Sequence, residues 1–127
     1  MNEQGVKMSG GSSRSPGPAP GRQAVVVTLP REVDATNDGH VLDALTRALA
    51  DGTGVLVADG SGTSFCGSSG VTALLAAHRR AAAAGTRLRV AASPAVRRIL
   101  ELTGADHLLD TYATLGAALA GITRPPA

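Results

Sequence analysis

Apolar positions fall into short blocks along this chain, and their spacing alternates between that of a buried strand and that of a one-sided helix. Ala24, Val25, Val26, Val27, Thr28 and Leu29 form a continuous, largely β-branched run, which predicts a strand buried on both faces. Val41, Leu42, Leu45, Ala48 and Leu49 then recur at helical spacing, the pattern of an amphipathic helix. Asp51-Gly52 and Gly54 end it. Val55, Leu56, Val57 and Ala58 make a second short strand closing at Asp59. A Gly/Ser-rich loop runs from Gly60 to Gly67, and Ser68 or Ser69 is then a suitable N-cap. Val71, Leu74, Leu75 and His78 mark the face of a second helix, with Gly85 where its C-terminus should fall. Leu88, Val90 and Ala91 predict a third strand. Ser93-Pro94 reads as a cap followed by proline at the first helical position, and Val96, Ile99, Leu100 and Thr103 give a third helix ending at Gly104. Leu108, Leu109 and Tyr112 suggest a last short strand, and Thr114 is placed to cap a closing helix through Leu119.

The order β-α-β-α-β-α-β-α calls for an α/β domain with a mainly parallel sheet, because parallel neighbours need helical crossovers. Such crossovers are right-handed in nearly all cases. Residues 1–22 are expected to be a disordered tail, since Gly10, Gly11, Ser12, Ser13, Pro16, Pro18 and Pro20 leave little to bury against the lost chain entropy. The segment 121–127, with Pro125 and Pro126, reads the same way. The folded part is expected to span residues 23–120.

Composition adds constraints. The 127 residues give room for one domain. Hydrophobic residues reach 43% but aromatic ones only 2%, with no Trp, so the core is built from Val, Leu, Ile and Ala. A net charge of +2 is a mild excess, and paired arginines such as Arg79-Arg80 and Arg97-Arg98 suit solvated edges. One Tyr and one Phe offer no platform for stacking bases. No direct nucleic-acid partner is expected. Cys66 is the only cysteine, which rules out an internal disulfide and a Cys-based metal cluster. His40, His78 and His107 lack metal-ligand spacing, so no metal or cofactor is expected. No run approaches a membrane span or a secretory signal, and the cytoplasm is the expected compartment.

In parallel α/β sheets, function gathers at the carboxyl ends of strands. Here that place is the stretch from Asp59 to Gly70. Gly62 and Gly67 have P-loop spacing, but Ser68 stands where that loop needs a phosphate-binding Lys. A hydrolase elbow around Ser69 fails as well, because Val71 occupies its final glycine position. Cys66, near a helix start, could have a lowered pKa; burial beside Phe65 is the plainer reading. His78 shares its helix face with Val71, Leu74 and Leu75, which suits a packed histidine.

The run from Val55 to Gly70, continued by Val71, Leu74, Leu75, Arg79, Ala82 and Gly85, resembles the signature of the STAS domain of anti-sigma factor antagonists. In that family an apolar strand ends in Asp, a loop closes on an apolar residue, and Asp-Ser-Ser-Gly opens a helix. Asp59, Phe65 and Ser68-Ser69-Gly70 match these positions. Arg31-Glu32-Val33-Asp34 resembles the family's Gly-Glu-hydrophobic-Asp, which aligns Asp34. The resemblance covers about Val25 to Leu119. It implies a STAS-like fold, a four- or five-stranded mainly parallel sheet with about four helices.

The resemblance also implies a function. The domain would bind an anti-sigma factor, commonly a serine kinase of the histidine-kinase-like ATPase type, and so free a sigma factor. Phosphorylation of Ser68 would end the interaction, and a phosphatase would restore it. Asp34, Asp59, Gly67, Ser68, Ser69 and Gly70 are the expected partner-binding residues, and no catalytic residue is expected. Three departures stand out: Gly67 replaces the Asp before the switch serine, Arg31 replaces a Gly, and the family's extra N-terminal strand has no clear counterpart. Other readings stay open on the residues. Ser68 could be a helix cap alone, the module could be an unphosphorylated scaffold or ligand sensor, and an enzyme could use Ser68 or Cys66 covalently.

Overall fold

The computed structural model describes residues 23–50 and 53–120. The two expected tails, the Asp51-Gly52 turn and the place of any additional N-terminal strand lie outside the described residues. Four strands form the main sheet: β1 (Gln23–Thr28), β3 (Thr53–Gly60), β5 (Arg87–Ala92) and β6 (Asp110–Tyr112). They stand in the order β1-β3-β5-β6, and each neighbouring pair is parallel. Between them run helices α1 (Asp38–Arg47), α2 (Ser68–Ala83) and α3 (Pro94–Thr103), and α4 (Leu115–Leu119) closes the chain. The expected α/β architecture with four helices and a parallel sheet is present.

Period-2 alternation sorts the sheet into two faces. Leu56 and Ala58 of β3 and Leu88 and Val90 of β5 point into the larger core. There they meet Val41 and Leu45 of α1, Val71, Leu74, Ala77 and Ala81 of α2, and Val96 and Leu100 of α3. Val57 and Ala91 point the other way and are sealed by Ala118 of α4, with Leu115, Leu119 and Tyr112 packed around them. Arg89 ties that small layer down. Its guanidinium donates to the Ala118 and Ala120 carbonyls at 2.9 and 3.4 Å and lies 5.4 Å from the Tyr112 ring centre. With so few aromatics, alanines fill part of the core, and Ala77 and Ala81 of α2 are almost wholly buried.

Three local expectations are corrected. β1 is not buried on both faces: it is the outer strand of the described sheet, and Val26 is 39% exposed. The last strand starts later than its apolar residues suggest, because Ala105–His107 forms a 3-10 turn and Leu109 is a buried plug ahead of β6. A second, tiny parallel sheet also appears, pairing β2 (Glu32–Val33) with β4 (Phe65–Cys66) in the register Glu32–Phe65 and Val33–Cys66. The ends of α2 and α3 follow the glycines, whereas α1 stops at Arg47 with Ala48 as its cap, and Gly54, expected to end it, lies inside β3. Gly85 and Gly104 take φ of 76° and 77°, the left-handed conformation that glycine adopts without a Cβ penalty.

Candidate functional site

The loop from β3 to α2 is held by hydrogen bonds to two other segments, the stretch 30–33 and the start of α3 at Ser93. Asp59 accepts from the amide and hydroxyl of Ser61 at 3.0 and 2.6 Å, which turns the chain sharply as it leaves β3. The buried Thr63 hydroxyl then donates to the Pro30 carbonyl at 2.8 Å. The Ser64 amide donates to the Arg31 carbonyl at 2.7 Å. Ser93, capping α3 through the Val96 amide, donates its hydroxyl to the Thr63 carbonyl at 2.6 Å. Ser93 was expected as a helix cap; its second bond, across to the loop, has no counterpart in the local sequence pattern. The loop therefore enters β4 already fixed on both sides.

In β4, alternation turns Cys66 inward and Phe65 outward. Cys66 is buried while Phe65 is 52% exposed. Burial pushes the Cys66 thiol pKa up, which lowers its thiolate fraction and its value as a nucleophile. Gly67 extends the pairing by one bond, its amide donating to the Val33 carbonyl at 2.9 Å. It then serves as the N-cap of α2, with φ −88° and ψ 178°.

This placement corrects the expected cap. Neither Ser68 nor Ser69 holds the N-cap position, and no side chain caps the helix. Ser68 is the first residue of α2 and is exposed; Ser69 is half-buried. The first turn contains no acidic residue. A free hydroxyl thus stands among unpaired helix amides at the positive end of a long helix, in an environment that stabilises added negative charge.

Asp34 follows β2 as Gly67 follows β4, so the parallel register brings Asp34 and Gly67-Ser68 out at the same end of the small sheet. The Asp34 carboxylate accepts from the Thr36 amide and hydroxyl at 2.9 and 2.5 Å. Those bonds hold its pKa below its ordinary value. Asn37 completes the turn, donating to the Glu32 carbonyl and accepting from the Asp34 amide. Asp59 is half-buried and its carboxylate is engaged by Ser61.

Gly70 is corrected from a surface role to a packing role. It is buried, and a Cβ at this position would stand 2.7 Å from Cys66 Sγ and 2.9 Å from Val33 Cγ1. Glycine is what lets α2 lie directly on the β2–β4 ledge. Among the described residues, no group of three His, Cys, Asp or Glu side chains is arranged to hold a metal ion. No helix there is long and apolar enough to cross a membrane.

The family model described as the STAS domain matches residues 18–118. An anti-sigma factor antagonist from Mycobacterium paratuberculosis has a crystal structure that superposes with a TM-score of 0.67 at 30% identity, over 80% of this chain and 86% of that one. Two more distant structures share the fold. A protein from Thermotoga maritima gives 0.67 at 17% identity, over 80% of this chain and 88% of its own. The anti-sigma factor antagonist SpoIIAA in its unphosphorylated form gives 0.63 at 21% identity, over 83% and 93%. Among curated protein sequences, none matches this chain.

Proposed function

The chain belongs to the STAS domain family, and from that premise we propose that it is an anti-sigma factor antagonist switched by phosphorylation of Ser68. In the cytoplasm, the unmodified domain binds an anti-sigma factor of the serine-kinase type and frees a sigma factor. The partner covers the end of the small sheet, where Asp34, Gly67, Ser68 and Ser69 emerge together, with Asp59 bracing the loop behind them. The kinase transfers the γ-phosphoryl group of its ATP to Ser68 Oγ; the hydroxyl proton passes to a kinase base and ADP leaves. A phosphatase returns the hydroxyl by hydrolysis.

The observation that carries this reading is Ser68 itself, exposed at the first position of α2 with Gly67 holding the cap. A phosphate there adds about −1.5 to −2 charges at neutral pH. The free helix amides and the absence of first-turn acids make that addition compatible with the fold. A partner surface complementary to a neutral hydroxyl is not compatible with it. Like-charge juxtaposition across an interface costs several kcal/mol, and each ~1.4 kcal/mol is tenfold in affinity.

One residue favours a second reading. Gly67 replaces the Asp of the family pattern beside the switch serine, and the loss of that charged neighbour bears on kinase recognition; it favours a module acting as an unphosphorylated scaffold or ligand sensor. Incubation with ATP and each purified anti-sigma kinase of the source genome, followed by mass-spectrometric mapping, separates the two. Phosphate on Ser68 is expected, and its absence with every kinase favours the scaffold. Calorimetry supplies the second arm: Ser68→Ala should keep partner binding and Ser68→Asp should weaken it. Equal affinity of the two variants removes the switch.

A further inference from the structure

A groove of about 240 Å³ lies between β4 and α3, with Phe65 and Cys66 on one wall and Arg98, Ile99 and Leu102 on the other. The α3 residues belong to one stripe at i, i+1 and i+4, continued by Ala95 three positions earlier. Two large apolar side chains of this groove stand in water, Phe65 at 52% and Leu102 at 71% exposure. Scattered surface leucines need no explanation, but here two large apolar groups line one concavity, a shape able to receive an apolar anchor from a partner. Arg98 is the one charged residue lining it.

The groove is continuous with the Ser68 face. Phe65 lies in β4, directly ahead of the cap, and its ring carbons are 3.7 and 3.8 Å from the point where a Cβ on Gly67 would stand. A protein laid over the Ser68 hydroxyl is therefore laid over Phe65 as well. We infer that this groove seats an apolar side chain of the same anti-sigma partner, beside a partner carboxylate that meets Arg98. The inference rests on the reading of Ser68 as a contact point, and it divides the interface into two parts. Burial of Phe65 and Leu102 supplies affinity that does not depend on modification, in the manner of an interface hot spot. The Ser68 hydroxyl supplies the term that phosphate reverses.

The test is calorimetry of the full chain against each purified anti-sigma kinase of the source genome, with thermal melts of every variant. Leu102→Asp and Arg98→Glu should each weaken binding roughly tenfold or more without lowering the melting temperature, while Arg98→Lys keeps most of it. If Leu102→Asp melts early, Leu102→Ser is measured in its place. Should Leu102 and Arg98 variants bind like the wild type while Ser68→Asp does not, the groove is no anchor and the Ser68 reading survives. The reverse pattern keeps the groove and removes the switch. Failure of the wild type to bind any of the kinases overturns both. A wild-type dimer in sedimentation that Leu102→Asp dissolves would assign the groove to a second copy of this chain and overturn the proposal.

Discussion

Replacing Gly70 with alanine tests the packing that sets where Ser68 stands. Two effects oppose one another. Alanine is a better helix former than glycine by about 1 kcal/mol in a helix interior, and less is gained here because Gly70 lies in the first turn of α2. Against that, the new methyl group would meet Cys66 Sγ at 2.7 Å and Val33 Cγ1 at 2.9 Å. Neither neighbour can swing away, since both are short, buried side chains on the paired β2–β4 ledge. Overpacking of this kind costs about 1–3 kcal/mol. The net expectation is a loss of about 1–2 kcal/mol. For a domain of this size each kcal/mol moves the melting temperature by about 4–8 °C. Urea unfolding followed by circular dichroism measures the loss directly, and an unchanged m-value shows that two-state behaviour survives. Cys66→Ala removes the nearer obstacle, so Gly70→Ala should cost less in the Cys66→Ala background than in the wild type. A Gly70→Ala protein as stable as the wild type would refute the claim that α2 needs glycine to seat on the ledge.

Ser93→Ala removes a helix cap and leaves the Thr63 carbonyl without its buried donor. Together these should cost about 2–3 kcal/mol in urea unfolding, with faster amide exchange in the loop before α2; unchanged exchange there would remove Ser93 as a loop brace. Asp34 should titrate below an unfolded reference peptide by carbon-detected NMR, because its depressed pKa comes from the Thr36 hydroxyl and amide. The linked stability is present above the unfolded value and lost as pH falls through the folded one, so Asp34→Asn should flatten that part of the acid limb; a midpoint at the reference value contradicts it. Burial raises the Cys66 thiol pKa, so Ellman's reagent at neutral pH should label the native protein only slowly and the urea-unfolded protein at once. Rapid native labelling would reopen a thiol-based activity.

The main architecture is legible because long elements carry periodic signals. Val55–Ala58 and Val71–Leu75 pack where their spacing puts them, and Pro94 and Gly104 bound α3 as their backbone preferences demand. The β2–β4 sheet is not legible, since two residues per strand are too few to show a period. That omission has consequences at the site. Without the ledge, Phe65 and Cys66 look alike, as two apolar residues closing a loop. Its pleat sends one inward and the other into solvent. The same ledge makes Gly70 a position where an added Cβ would come within 3 Å of Cys66 and Val33. The Ser93–Thr63 bond joins positions thirty residues apart, and no local pattern announces a tertiary hydrogen bond. The continuous run in β1 misleads for a related reason, because burial on two faces depends on neighbours that a strand's own residues do not specify.

If Ser68 is the switch proposed above, the glycine before it changes the energetics of that switch. An aspartate at the N-cap would accept a bond from an early helix amide and place a negative charge against the positive end of the dipole. A phosphate on the next residue would then compete for the same amides and be repelled by that carboxylate. With Gly67 at the cap and no acid in the first turn, those amides are left for the phosphate. The substitution costs the unmodified helix only a few tenths of a kcal/mol, as glycine is itself an acceptable cap. Its extended backbone does not demand glycine, and a Cβ there would make only ordinary contacts, so sterics leave an aspartate admissible. Relative to a chain with aspartate at this position, the phosphorylated form of this domain should therefore be the better tolerated by the fold. A kinase acting on Ser68 would lack a carboxylate to grip there and would need purchase elsewhere on the surface. The groove proposed above, with Phe65 and Leu102 exposed beside Arg98, would offer it.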